Sequence, residues 1–211
     1  AGGNNTLFWK NDFIIQGSGT LDLNGTLQVL NRLRGDGFFA RNLAVVPGVG
    51  GFVINSSGTQ ATLGFANANS FFGGTISGNI AVVSANQAGS FNSWDIYAPQ
   101  TYTGRTYING ARWQLIGEGT LSGTSAIDIN QGTLLLANNN ATQITTRNID
   151  DRVNDAAPIF MRGGMIQYRA RNAMEGSERF GTLTLGEGNS FIEVAEPGTG
   201  INSSTAIFAS L

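Results

Sequence analysis

The chain of 211 residues contains no cysteine and no histidine. Without cysteine there are no disulfides and no thiolate metal sites. Without histidine the commonest general base and transition-metal ligand is missing, which excludes Ser-His-Asp triads, Cys-His dyads and imidazole-bound zinc. Charge is scarce as well: Asp, Glu, Lys and Arg make up 12% of residues, about half the usual ~25%. Twelve basic and fourteen acidic residues leave a net charge of −2, and Lys10 is the single lysine. A nucleic-acid footprint needs clustered Lys and Arg, so nucleic acid is not expected as a partner. No run of 18 apolar residues is present, so no helical membrane span is expected. No basic n-region followed by an apolar core marks a signal peptide. The first residue is Ala, as expected for the processed piece of a precursor or a segment of a longer surface protein.

What the chain does have is apolar residues, 41% of the total, and 30 glycines. That is enough to bury a core, and the length suits a single β domain over residues 1–211. No window carries sustained 3.6-residue periodicity. Short alternating runs are broken instead by Gly, Asn and Ser, the pattern of an all-β chain. In GSGTLDLNGTLQVL (17–30), Leu21, Leu23, Leu27 and Val29 are expected on one face, with Asp22 and Gln28 on the other. Ile76, Ile80 and Val82 form a second such row, as do Ile127 with Ile129 and Leu134 with Leu136.

Two architectures compete, an antiparallel β-sandwich and a parallel solenoid. The unit Gly-Thr-Leu recurs at 19–21, 25–27, 119–121, 132–134 and 181–183, and self-similarity of this kind favours the solenoid. Low charge fits it too. Stacked coils place residues about 4.8 Å apart, where like charges repel and Asn, Thr and Ser can hydrogen-bond along the ladder. The expected form is a parallel β-helix of eight to ten coils, about 20–25 residues each and about 40–50 Å long.

The segment Gln100-Thr101-Tyr102-Thr103-Gly104-Arg105-Thr106-Tyr107-Ile108-Asn109-Gly110-Ala111 resembles the autotransporter-associated β-strand repeat, with Arg112-Trp113-Gln114-Leu115 where that family has Thr-Leu and its strand. FFGGTISGNIAVV (71–83) resembles the segment that commonly precedes the repeat, and the likeness extends over 71–196. Arg105 for a second Gly, the order Gly110-Ala111, and Arg112-Trp113 depart from the pattern. The resemblance implies a right-handed parallel β-helix at the bacterial cell surface or secreted, and it brings no catalytic residues. The function it implies is that of a structural module building a fibre, layer or stalk. Its partners are then further copies or flanking repeats of the same polypeptide. The alternatives are a glycan-binding adhesin segment and a polysaccharide lyase or hydrolase on the same fold.

Asp150, Asp151 and Asp155 form the one acidic cluster. They could offer oxygens to Ca²⁺ or act as acid and base toward a glycan. Against this stands a structural role, capping a turn and pairing with Arg147 or Arg152. Asp22 in GSGTLDL sits in a single calcium-coil-like match. Trp9, Trp94, Trp113, Tyr97, Tyr102, Tyr107 and Tyr168 could stack on sugars or fill the core. Arg105 and Arg112 are expected to face outward together, making an interaction surface with Trp113. Arg171, Glu175, Glu178 and Arg179 read as a solvated loop. The first residues, AGGNNTLFW, and the last, STAIFASL, are expected to leave both ends of the solenoid uncapped.

Overall fold

The structure is a computed structural model and describes residues 1–35, 50–67, 69–85, 93–138, 148–171, 174–195 and 203–211. Arg147 lies outside these residues. Strands, numbered in chain order, wind through three faces in fixed rotation. Face A carries β2 (Gly17–Asp22), β5 (Gly50–Ile54), β8 (Thr75–Gly78), β11 (Pro99–Tyr102), β14 (Thr120–Leu121), β17 (Gly176–Phe180) and β20 (Ser204–Phe208). Face B carries β3 (Leu27–Leu30), β6 (Ala61–Phe65), β9 (Ile80–Ala85), β12 (Thr106–Asn109) and β18 (Leu183–Leu185). Face C carries β1 (Asp12–Ile15), β4 (Arg32–Gly35), β7 (Ser70–Phe72), β10 (Ser93–Ile96), β13 (Arg112–Leu115) and β19 (Ser190–Ala195). Two long strands, β15 (Ile127–Ala137) and β16 (Ile159–Arg169), run unbroken across B and C. Every strand pairing among the described residues is parallel. The chain is an all-β parallel β-helix, and the sandwich alternative is excluded because a sandwich needs antiparallel neighbours.

Among the described residues, seven complete laps result, flanked by β1 and β20. This is fewer than the expected eight to ten and makes a rod nearer about 34 Å. The reason is unequal lap length. Register partners are 19 residues apart for Ala61 and Ile80, but 32 apart for Ile127 and Ile159 and 35 apart for Leu27 and Thr62. The long laps add their residues between the end of a face C strand and the next face A strand.

Alternation within each strand sets the core. In β13, Trp113 and Leu115 are fully buried while Arg112 and Gln114 are half-buried on the outside. Inward residues stack in columns through the pairing register. One column runs Trp94, Trp113, Leu134, Ile166, Ile192; the next runs Phe72, Ile96, Leu115, Leu136, Tyr168, Val194. Trp113 meets Trp94 edge-on with ring centroids 4.7 Å apart, and Phe65 packs on Trp94 at 4.7 Å. In three of the five Gly-Thr-Leu units, those of Gly119, Gly132 and Gly181, the glycine sits where one lap's backbone touches the lap beneath. A Cβ on Gly119 would fall 2.0 Å from the Ile96 carbonyl oxygen, and one on Gly181 would fall 2.2 Å from that of Ala157.

One expected row and one expected loop need correction. After the Asn24-Gly25 turn the alternation slips by one residue, so Gln28 and Leu30 point inward and are buried, while Leu27 is exposed. A one-residue slip inverts the faces. It is tolerated here because the Gln28 amide is satisfied, accepting from the Leu7 N–H and donating to the Gly3 carbonyl and the Thr26 hydroxyl. The segment expected as a solvated loop is β17, with Glu178 buried. Where neutral polar residues stack, the anticipated ladder forms: Asn130 donates to Asn109 Oδ1 at 2.6 Å.

Candidate functional site

The three candidate aspartates lie on the turn that carries the chain into lap six along face A. Asp150 accepts from the Ser177 N–H at 3.2 Å, Asp151 has a left-handed backbone (φ 63°), and Asp155 is exposed. The turn is fixed by Asn154, whose side chain accepts from the Ala156 N–H and whose carbonyl accepts from Ala157. Among the described residues no three acidic side chains come together in a way that could hold a metal ion. The Asp22 carboxylate is engaged by the Ser56 hydroxyl at 2.6 Å and by the N–H groups of Ser56 and Asn24, which hold its pKa below the usual carboxylate range.

Arg152 does not pair with those aspartates. Its guanidinium is buried and donates to the carbonyls of Gly117 and Gly119 and to Asn138 Oδ1. Lap six has no strand on face A, where a single bridge joins Leu121 to Val153. Its backbone donors need other acceptors. Glu178 supplies them: its two carboxylate oxygens accept from the N–H groups of Arg152 (3.1 Å) and Val153 (2.9 Å). Burial pushes the Glu178 carboxyl up to about 8, against the two N–H donors and Arg152, which favour its charge. Burial likewise pulls Arg152 down to about 10. The pair substitutes for a missing strand.

Trp113 is not a surface residue. It is fully buried, and its indole N–H donates to the Ser84 hydroxyl at 2.9 Å. It fits because the small Ser84 faces inward one lap below, where other laps place Ile108 or Phe65. Trp94, Tyr97, Tyr102 and Tyr168 are buried too, so of the seven aromatics considered for sugar stacking only Trp9 and Tyr107 reach the surface. Arg105 and Arg112 do lie outside, but on different faces. On face B, Arg105 bonds to Asp128 at 2.7 Å, sits over the Phe160 ring, and shares Asp128 with Arg162 at 3.5 Å.

Arg112 lies on face C, at the rim of an open cleft of about 490 Å³ lined by Gln131, Thr133, Met165, Gln167, Arg169 and Glu193 among others. Burial lowers the Arg112 pKa and the Arg169 charge lowers it further, while Asp95 and Glu193 pull it back. Asp95, half-buried in the neighbouring outer column, has its own pKa raised by burial.

The two ends differ. At the first lap, residues 1–11 cover the edge of β3, so the expectation of an uncapped start is corrected. Leu27 donates to Asn4 Oδ1 (2.9 Å), its carbonyl accepts from Asn5 (2.8 Å), and Asn31 donates to the Asn11 carbonyl (2.9 Å). At the last lap, among the described residues, no further strand pairs with the outer edges of β18, β19 or β20, although the Leu183 N–H donates to the Ser210 carbonyl (2.9 Å) and the Ala195 carbonyl accepts from the Ser204 hydroxyl (3.0 Å). Leu185, Ile192 and Val194 are 58%, 44% and 41% exposed, although their partners one lap below, Met161, Ile166 and Tyr168, are buried. Periodicity identified the alternation here. It does not say which lap is last, and so it misses this patch.

Compared with family models, curated proteins and solved structures, the chain matches none.

Proposed function

We propose that this chain is a structural β-helix module of the cell exterior, of the autotransporter-associated repeat kind, that builds a fibre, layer or stalk by adding laps to its open end. In this reading it is a scaffold and not an enzyme. The observation that supports it most is the last lap. Its inward-pointing Leu185, Ile192 and Val194 continue buried columns but stand exposed, beside strand edges that no further described strand pairs. Exposed edges of this kind pair with further strands unless they are blunted. Covering the three side chains contributes about 1 kcal/mol each, roughly half the value for fully burying such a residue. The edge's amide groups gain partners at the same time.

Sedimentation velocity over about 1–100 μM tests this. The expected result is a concentration-dependent shift to larger species that Ile192→Lys abolishes without changing the β-rich circular dichroism spectrum. A monodisperse monomer over the whole range, or an Ile192→Lys variant that associates as the wild type does, overturns it.

A further inference from the structure

The cleft on the outer side of face C has a chemistry that lap packing does not account for. Its walls come from four successive laps through the pairing register. Arg112 stacks under Thr133 and Met165, Gln167 under Glu193, and Arg169 lies farther along β16. Three lap spacings make it about 14 Å long. Two guanidiniums flank it. The Nε atoms of both Arg112 and Arg169 are buried and meet no hydrogen-bond acceptor among the described residues. The nearest carboxylate, Glu193, stands 3.9 Å from Arg169, beyond hydrogen-bonding distance. By contrast, Arg32, Arg105 and Arg152 all have close acceptors, and Arg34, whose Nε likewise meets no acceptor among the described residues, lies over the Phe71 ring. A buried N–H donor without a partner is uncommon and costs about 1–3 kcal/mol. Paired guanidinium forks match the two oxygens of a carboxylate. The remaining lining combines the polar side chains of Gln131, Gln167 and Thr133 with Met165, Ala111 and the glycine backbone of Gly110 and Gly132.

We propose that this cleft binds an acidic saccharide, with Arg112 and Arg169 holding its carboxylates and Gln131, Thr133 and Gln167 bonding its hydroxyls. The amide and hydroxyl lining matches a chain rich in hydroxyls. An acidic peptide would bring apolar side chains, for which the cleft offers only Met165 and the largely buried Ala111. The assignment is independent of how the rod ends associate, since the cleft lies on the side of the laps.

Isothermal titration tests it with four probes: a galacturonate oligomer, the same oligomer methyl-esterified, sodium acetate, and a glutamate peptide of similar charge. The carboxylated oligomer is expected to bind, and the esterified oligomer, acetate and the peptide at least tenfold more weakly. Arg112→Gln and Arg169→Gln should each weaken binding by about tenfold or more, at unchanged urea midpoint. Arg179→Gln, which removes the same charge from an exposed site on face A, should leave binding unaltered. Glu193→Gln removes the carboxylate that competes for Arg169 and should tighten binding severalfold. That variant keeps the test decisive if an arginine variant fails to fold. No binding of the carboxylated oligomer at millimolar concentration overturns the proposal. So does equal binding of the esterified oligomer, acetate or the peptide, an equal loss in Arg179→Gln, or weaker binding by Glu193→Gln.

Discussion

Replacing Glu178 with glutamine isolates the carboxylate that stands in for a strand on face A. Glu178 is 1% exposed, and its pKa rises from 4.5 in an unfolded chain to about 8 in the fold. Between these values the folded state binds more protons at Glu178 than the unfolded one, so this group's contribution to stability is fully present below about pH 4.5 and is lost as pH rises toward 8. A shift of this size corresponds to a loss of up to about 5 kcal/mol across the window, at 1.36 kcal/mol per unit. Arg152, at about 10, keeps its charge throughout and offsets part of that cost. Asp95, also raised by burial, adds a slope of the same sign, so the comparison of wild type with variant carries the argument. The assay is the urea midpoint at pH 5, 6.5, 8 and 9. The wild-type midpoint should fall steadily with pH, and the Glu178→Gln midpoint should fall much less. At pH 5 the variant should be no more stable than the wild type, because an amide offers one acceptor to two N–H donors. A wild-type midpoint that is flat or rises over this range refutes the reasoning, as does a variant with the full wild-type slope.

Trp113→Ala should cost about 3–5 kcal/mol in urea unfolding, while Arg105→Ala, at a partly exposed ion pair, should cost about 1 kcal/mol or less. Gly119→Ala places a methyl 2.0 Å from the Ile96 carbonyl oxygen and should lower stability by more than about 2 kcal/mol. Gly58→Ala, with open space around its Cβ, should stay within about 0.5 kcal/mol of wild type; thermal denaturation separates the two. Gln100→Leu leaves the Ile76 N–H and the carbonyls of Gly74 and Ala98 without their present partner, at an expected cost of about 2–4 kcal/mol by the same assay.

The apolar rows were legible where nothing polar interrupts them. Ile127 with Ile129 and Leu134 with Leu136 face inward as alternation requires. The recurrence of Gly-Thr-Leu pointed to a solenoid of stacked coils, and at Gly119 and Gly181 the structure adds close backbone contact between laps. Hydropathy failed where a polar side chain takes the place of backbone. Gln28 and Glu178 read as surface residues, and Gln100 and Arg152 gave no sign of burial, yet each is buried with donors or acceptors from neighbouring laps. Those partners are 14 to 35 residues away, beyond any local window. Trp113 read as a surface residue because its bulk departs from the repeat. The room for it comes from Ser84, 29 residues earlier. The cleft depends on Arg112 and Arg169 converging from laps four and six, which only the register between β13, β15 and β16 reveals.

Lap-on-lap parallel register underlies the core columns, the cleft and the open end alike, and the absence of native cysteine makes it directly testable. Asn109 and Asn130 are register partners on the outside of face B, about 4.8 Å apart at Cα, within disulfide reach. In the Asn109→Cys/Asn130→Cys variant, mild oxidation should form an intramolecular disulfide nearly completely. Asn109→Cys/Gln131→Cys, one residue out of register, should form little. An absent cross-link in the first variant, or equal yields in both, contradicts the stacked fold.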